Sequence, residues 1–141
     1  MINNKLVVGI TQGDGNGIGY EVIIKALADP RILDSFIPVV YGSSKIFGFY
    51  RKSIHNVEQL DTYVINSIEE AKPKKINIYN CLPDNVYVEP GQPSPEAAKS
   101  AITALQTAVA DIKGGKIDVL VTGPINKRAM TNAGFQFTGH T

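Results

Sequence analysis

Short β-branched runs, each closed by glycine and separated by helix-forming stretches, restrict this chain to an α/β architecture. Lys5-Leu-Val-Val-Gly-Ile-Thr11 reads as a strand buried on both faces, ended by Gly13 and Asp14. Ile37-Pro-Val-Val-Tyr41 is a second such strand, ended by Gly42, and Asp118-Val-Leu-Val-Thr122 a third, ended by a Gly123-Pro124 turn. The first helical signal spans residues 21–28, with Val22, Ile23, Ala26 and Leu27 apolar. It is predicted to stop near Asp29-Pro30, because the residue before proline avoids helical angles. Ser43 or Ser44 is placed to cap a short helix running to about Arg51.

The strongest helix prediction covers residues 94–113. Ser94 suits the N-cap, Pro95 the first helical position, and Glu96 the positive end of the dipole. Ala98, Ala101, Ile102, Leu105, Val109 and Ile112 fall on one stripe of period 3.6, and Gly114-Gly115 supplies the stop. A further short helix is predicted over residues 125–132, ended by Gly134. Residues 54–89 hold short strand-like pieces at 63–65, 76–79 and 86–88, read as an antiparallel excursion from a largely parallel sheet. The chain stops in a glycine-containing loop at Thr141, so residues 1–141 are expected to be the amino-terminal portion of a larger two-domain protein.

Composition narrows the class without naming a function. An apolar fraction of 43% and a charged fraction of 19% are those of an ordinary globular protein. No run approaches the roughly 20 apolar residues of a membrane helix, and no signal peptide is read at the start. A net charge of +1, with no basic stripe interleaved with aromatics, argues against nucleic acid as a partner. The single Cys81 cannot form an internal disulfide, and a cytoplasmic location is expected. Next to Leu82-Pro83, it reads as a small buried filler.

Three segments can carry chemistry. Thr11-Gln-Gly-Asp-Gly-Asn-Gly-Ile-Gly-Tyr-Glu21 follows the first strand, where α/β sheets bind ligands and glycines let the backbone approach them. It is not the dinucleotide fingerprint, because Ile18 or Tyr20 stands where the last glycine of G-x-G-x-x-G belongs. The same glycines also suit a tight turn, and Asp14 reads as a turn-holding carboxylate. Val119-Leu-Val-Thr-Gly-Pro-Ile-Asn-Lys127 puts the Lys127 ammonium near a strand's carboxyl end, either as a point charge for an anion or as a solvated lysine. It is not a P-loop. Phe137-Thr-Gly-His-Thr141 gathers hydrogen-bonding groups around His140, whereas His55 sits in a polar stretch and reads as solvent-exposed. No set of His, Cys or carboxylate residues has metal-ligand spacing.

Taken in order, Gly13-Asp-Gly-Asn-Gly-Ile-Gly-Tyr-Glu21, Pro90-Gly-Gln-Pro-Ser94, Val121-Thr-Gly-Pro-Ile-Asn-Lys127 and Gly139-His-Thr141 resemble the 4-hydroxythreonine-4-phosphate dehydrogenase family of vitamin B6 synthesis. The resemblance covers essentially the whole chain. Thr-Gly-Pro-Ile-Asn-Lys followed by Gly-His-Thr is its specific part, while the glycine loop is also similar to the start of isopropylmalate dehydrogenases. It implies a three-layer α/β/α, isocitrate/isopropylmalate dehydrogenase-like fold, and a homodimer with its active site in the cleft between two domains. The implied reaction is oxidation of 4-phosphooxy-L-threonine by NAD or NADP, with decarboxylation. A divalent metal (Zn, Mg or Co) would be held by three histidines downstream of Gly-His-Thr, none of them in this chain. By the resemblance His140 and Thr141 contact the substrate, with Lys127 adding charge, and the fragment alone is expected to be inactive. The sequence departs from the family pattern at Gly15-Asn16, where Pro-Ala is usual, and at Tyr20, where proline is usual. Two alternatives stay open: a dehydrogenase of a 4-phosphorylated threonate or erythronate, and a non-catalytic phosphate-ligand binding domain or acyl-phosphate transferase of similar architecture.

Overall fold

The computed structural model describes residues 2, 4–11, 19–52, 54, 60–82 and 95–122. Five strands, β1 (Leu6–Thr11), β2 (Phe36–Gly42), β3 (Thr62–Ile65), β4 (Ile76–Asn80) and β5 (Val119–Val121), form one sheet in the order β3-β4-β2-β1-β5. Every pairing is parallel. Among the described residues four helices accompany them: α1 (Gly19–Leu27), α2 (Arg31–Ser35), α3 (Ser44–Lys52) and α4 (Pro95–Lys113).

Side chains alternate across the sheet, so each strand feeds two cores. On one face Val8, Ile10, Val40, Ile76 and Ile78 meet Tyr20, Ile23, Ile24 and Leu27 of α1 and Ile46, Phe47 and Tyr50 of α3. On the other, Val7, Ile37, Val39, Tyr41 and Ile65 meet Ala104 and Ala108 of α4. Helices on both faces of a parallel sheet make the α/β/α layering expected from the sequence.

The described residues correct four details. First, β3 and β4 run parallel, with Thr62 opposite Ile76 and Ile65 opposite Tyr79, so these two strands are no antiparallel excursion. Residues 66–75, including a 3-10 turn at Ile68–Glu70, carry the chain back to the start of the sheet before β4 begins. A tight hairpin could not do that, since parallel neighbours need a crossover. The third predicted piece, at 86–88, lies outside the described residues, as do Ser94 and the helix predicted at 125–132.

Second, α1 begins at Gly19, and its buried stripe is Tyr20, Ile23, Ile24 and Leu27, at ideal helical spacing. Val22 is left 53% exposed and Ala26 also faces out. Third, α4 buries Ala101, Ala104, Leu105 and Ala108 more deeply than Ile102, Val109 and Ile112. Small side chains there let the helix settle against the bulkier Tyr41, Val39 and Val7 of the sheet. Fourth, β5 is the outer strand of the described sheet, and among the described residues Val119 and Val121 are 39% and 49% exposed, not buried. An apolar run has the same periodicity at an edge as at the centre, so its sequence cannot distinguish the two.

The helix boundaries follow local chemistry. Asp29-Pro30 ends α1 and also starts α2, the Asp29 carboxylate accepting from the Arg31 amide at 3.0 Å. The Ser43 hydroxyl accepts from the Ile46 amide at 3.3 Å, making Ser43 the cap of α3. At the other end of α4, Gly115 takes the left-handed φ of 73° and the Lys116 amide reaches back to the Asp111 carbonyl at 2.8 Å.

One buried polar residue organises the sheet's β2–β4 seam. Asn77 is fully buried, and its carboxamide oxygen accepts from the Lys72 amide at 2.9 Å. Its nitrogen donates to the carbonyls of Lys72 at 3.0 Å, Pro38 at 3.1 Å and Lys75 at 3.3 Å. The turn so held includes Lys74, a non-glycine residue with φ of 63°, a conformation that costs on the order of 1 kcal/mol. Pro38 sits inside a central strand, where proline is rare. It is tolerated because its carbonyl and its missing N–H point towards β4 just ahead of the first β2–β4 pair, Val39 with Asn77. The Asn77 side chain then supplies a second donor to the carbonyl.

Beside this turn the Glu69 carboxylate takes the Ser67 hydroxyl and the Lys116 ammonium, the latter at 2.9 Å. The Ser67 hydrogen bond, then Lys116, hold Glu69 far below the ordinary carboxylate range, at about 2. A pKa lower in the folded than in the unfolded chain means that the unfolded chain binds the proton first. The contribution is therefore present above about pH 4.5 and is lost as pH falls through about 2. In an NMR titration Glu69 should show a midpoint near 2, and Lys116→Gln should move it upward. An unsubstituted midpoint in the ordinary range would contradict the arrangement.

Candidate functional site

Neighbouring strands β1 and β5 lie far apart in sequence and point the same way, with Val8 opposite Val119 and Ile10 opposite Val121. Continuing that register brings Thr11 level with Thr122. The glycine loop leaves the sheet just past Thr11, and the Thr-Gly-Pro-Ile-Asn-Lys segment leaves it at Thr122. Two of the three segments that the sequence marked as chemical therefore depart side by side from one end of the sheet, and the third, residues 137–141, lies outside the described residues.

This end is also where the winding reverses. From β1 the chain moves to β2 on one side and, after β4, returns across to β5 on the other. Helices α1 and α3 cover one face and α4 the opposite one. Open α/β sheets bind ligands in the crevice outside the carboxyl ends of the strands at such a switch point. The geometry makes the β1–β5 junction the candidate site.

The next crevice along, at the ends of β2 and β4, is closed by protein groups. The Ser43 amide donates to the Tyr20 hydroxyl at 3.3 Å, and the Ser44 amide to the Asn80 side-chain oxygen at 3.2 Å. The Ile46 and Phe47 amides take the Ser43 hydroxyl and carbonyl. Amides at a helix start that would otherwise attract an anion are thus occupied at α3. Tyr20 is wholly buried, its ring stacked on Tyr50 at 5.4 Å, and burial pushes its hydroxyl pKa well up. Its hydroxyl ties the start of α1 to the end of β2. Ser43→Ala removes the cap of α3 and should lower stability by about 1 kcal/mol in urea unfolding. No measurable change would mean that Ser43 does not cap the helix.

Cys81 is half-buried on the α4 face, its amide bound to the Gly42 carbonyl at 3.0 Å. Burial pushes its thiol up to about 11, so at neutral pH it is a protonated packing group. Sequence reading missed Tyr20 and Asn80 as structural ties at this end. The signal for Tyr20 was present: starting the helix at Gly19 puts it in step with Ile23, Ile24 and Leu27. Asn80 carried no comparable pattern.

Comparison with known proteins identifies the sequence family. The family described as pyridoxal phosphate biosynthetic protein PdxA matches residues 34–141. The chain belongs to that family. Across all its 141 residues this PdxA-family chain is 43% identical to a 4-hydroxythreonine-4-phosphate dehydrogenase of Bacteroides thetaiotaomicron, covering 38% of that protein. It is also 29% identical, again over its full length, to a Clostridium botulinum protein provisionally named a D-threonate 4-phosphate dehydrogenase, of which it covers 42%. The crystal structure of a 4-hydroxythreonine-4-phosphate dehydrogenase from Burkholderia phymatum superposes with a TM-score of 0.84 at 30% identity, over 98% of this chain and 42% of that one. The chain thus spans well under half the length of the relatives it matches.

Within the PdxA-family chain, Lys127, His140 and Thr141 lie outside the described residues, as do Asp14, His55 and the glycines of the first loop before Gly19. The β1–β5 pairing places only Thr11 and Thr122, the described residues that precede the glycine loop and the Gly123-Pro-Ile-Asn-Lys127 stretch, at one end of the sheet. Among the described residues, no three His, Cys, Asp or Glu side chains are grouped to hold a metal ion, and no helix is long and apolar enough to cross a membrane.

Proposed function

We propose that this chain supplies the amino-terminal part of a 4-hydroxythreonine-4-phosphate dehydrogenase acting in vitamin B6 synthesis. The observation that carries the reading is the 43% identity, over the whole chain, to the Bacteroides thetaiotaomicron enzyme of that name. The proposed reaction oxidises the secondary alcohol of 4-phosphooxy-L-threonine with NAD or NADP as acceptor, and the resulting β-keto acid loses carbon dioxide. This chain's part is to bind and orient the substrate. His140 and Thr141 donate hydrogen bonds to its anionic groups, and the Lys127 ammonium adds a point charge nearby. The parallel departure of the glycine loop and the Thr122 segment from β1 and β5 supports a shared pocket for them.

A divalent cation bound by the whole enzyme would polarise the alcohol. By the resemblance its ligands would lie downstream of Gly139-His-Thr141, and the role proposed for this chain is substrate binding. A cytoplasmic homodimer of the full-length enzyme belongs to the same proposal, as does inactivity of residues 1–141 by themselves.

A second reading, oxidation of D-threonate 4-phosphate, is favoured by the 29% identity to the Clostridium botulinum protein. A chimera separates the two: residues 1–141 replace the matching 38% of the Bacteroides enzyme, and NADH or NADPH formation is followed on each phosphate ester. Faster turnover per unit KM on 4-phosphooxy-L-threonine is expected. Preference for D-threonate 4-phosphate would establish the second reading, and a folded chimera inactive on both would overturn the dehydrogenase assignment.

A further inference from the structure

We draw no further inference here: the strongest candidate, the exposed apolar strip of Leu6, Val119 and Val121 where β5 forms the outer strand of the described sheet, is an unpartnered face, and nothing in the structure shows what covers it.

Discussion

Replacing Asn77 by alanine should destabilise the fold by about 3 to 4 kcal/mol, since each buried polar group left without a partner costs roughly 1 to 3 kcal/mol. The substitution strands the Lys72 amide and takes one donor from the carbonyls of Lys72, Lys75 and Pro38. It also opens a void at a position with no solvent exposure. The Lys72 and Lys75 groups can turn towards water by loosening residues 72–75, which limits the loss. The Pro38 carbonyl cannot turn to water, but it faces β4 at the Val39–Asn77 pair, where the backbone amide of residue 77 stays beside it, so it loses only its second donor. Urea unfolding of the purified chain measures the effect as a lower midpoint with a similar slope. Asn77→Asp should do no better, because a carboxylate would face three carbonyl oxygens and no donor but the Lys72 amide. A loss below about 1 kcal/mol for Asn77→Ala would show that these hydrogen bonds are readily replaced.

Gly9→Ala should cost about 1 to 2 kcal/mol, within the range for overpacking a core. A Cβ at Gly9 would lie 2.6 Å from Ile117 Cδ1 and 3.1 Å from Tyr41 Cε1. Neither neighbour yields freely. Tyr41 is fully buried, its ring tilted by 35° against Tyr79 at 5.2 Å, and its hydroxyl donates to the Asp111 carboxylate at 2.7 Å. Ile117 is 2% exposed and has little room to turn. The better strand propensity of alanine offsets part of the strain, by roughly 0.5 to 1 kcal/mol. Ile117→Val removes the colliding methyl, so Gly9→Ala should cost clearly less in that background, a coupling that a double-mutant cycle reads directly. Additive effects would place the strain elsewhere.

The architecture was legible because it rests on periodicity and punctuation. The strands at β1 and β2, the stop at Asp29-Pro30, the cap at Ser43 and the glycine end of α4 each declare themselves within a few residues. What escaped depends on partners distant in sequence. Nothing local in Tyr63-Val-Ile65 or Ile76-Asn-Ile-Tyr79 states that the two runs lie parallel, because that follows from how residues 66–75 cross the sheet. Val119 and Val121 look like core residues until the strand order puts them on the outer strand of the described sheet. Asn77 reads as an ordinary polar strand residue, although its four hydrogen bonds hold a turn and cover a proline carbonyl. The candidate site was legible only as separate segments. The common departure point of the glycine loop and the Thr122 segment emerges from the β1–β5 pairing.

That pairing has a kinetic side. The Val7 amide donates to the Asp118 carboxylate and the Val7 carbonyl accepts from the Asp118 amide, each at 2.8 Å, across 111 positions of chain. No other strand pair described here joins residues so remote, since β1–β2, β2–β4 and β3–β4 all close much shorter stretches. Contacts of high sequence separation form late and slow folding, because the entropy of loop closure is spent before they return any enthalpy. On a ribosome, the second wall of the junction does not exist until nearly all of this chain has emerged. Under the function proposed above, substrate binding at that junction would require completed assembly, because a molecule whose sheet has formed only from β1 outward to β3 lacks the β5 side of it.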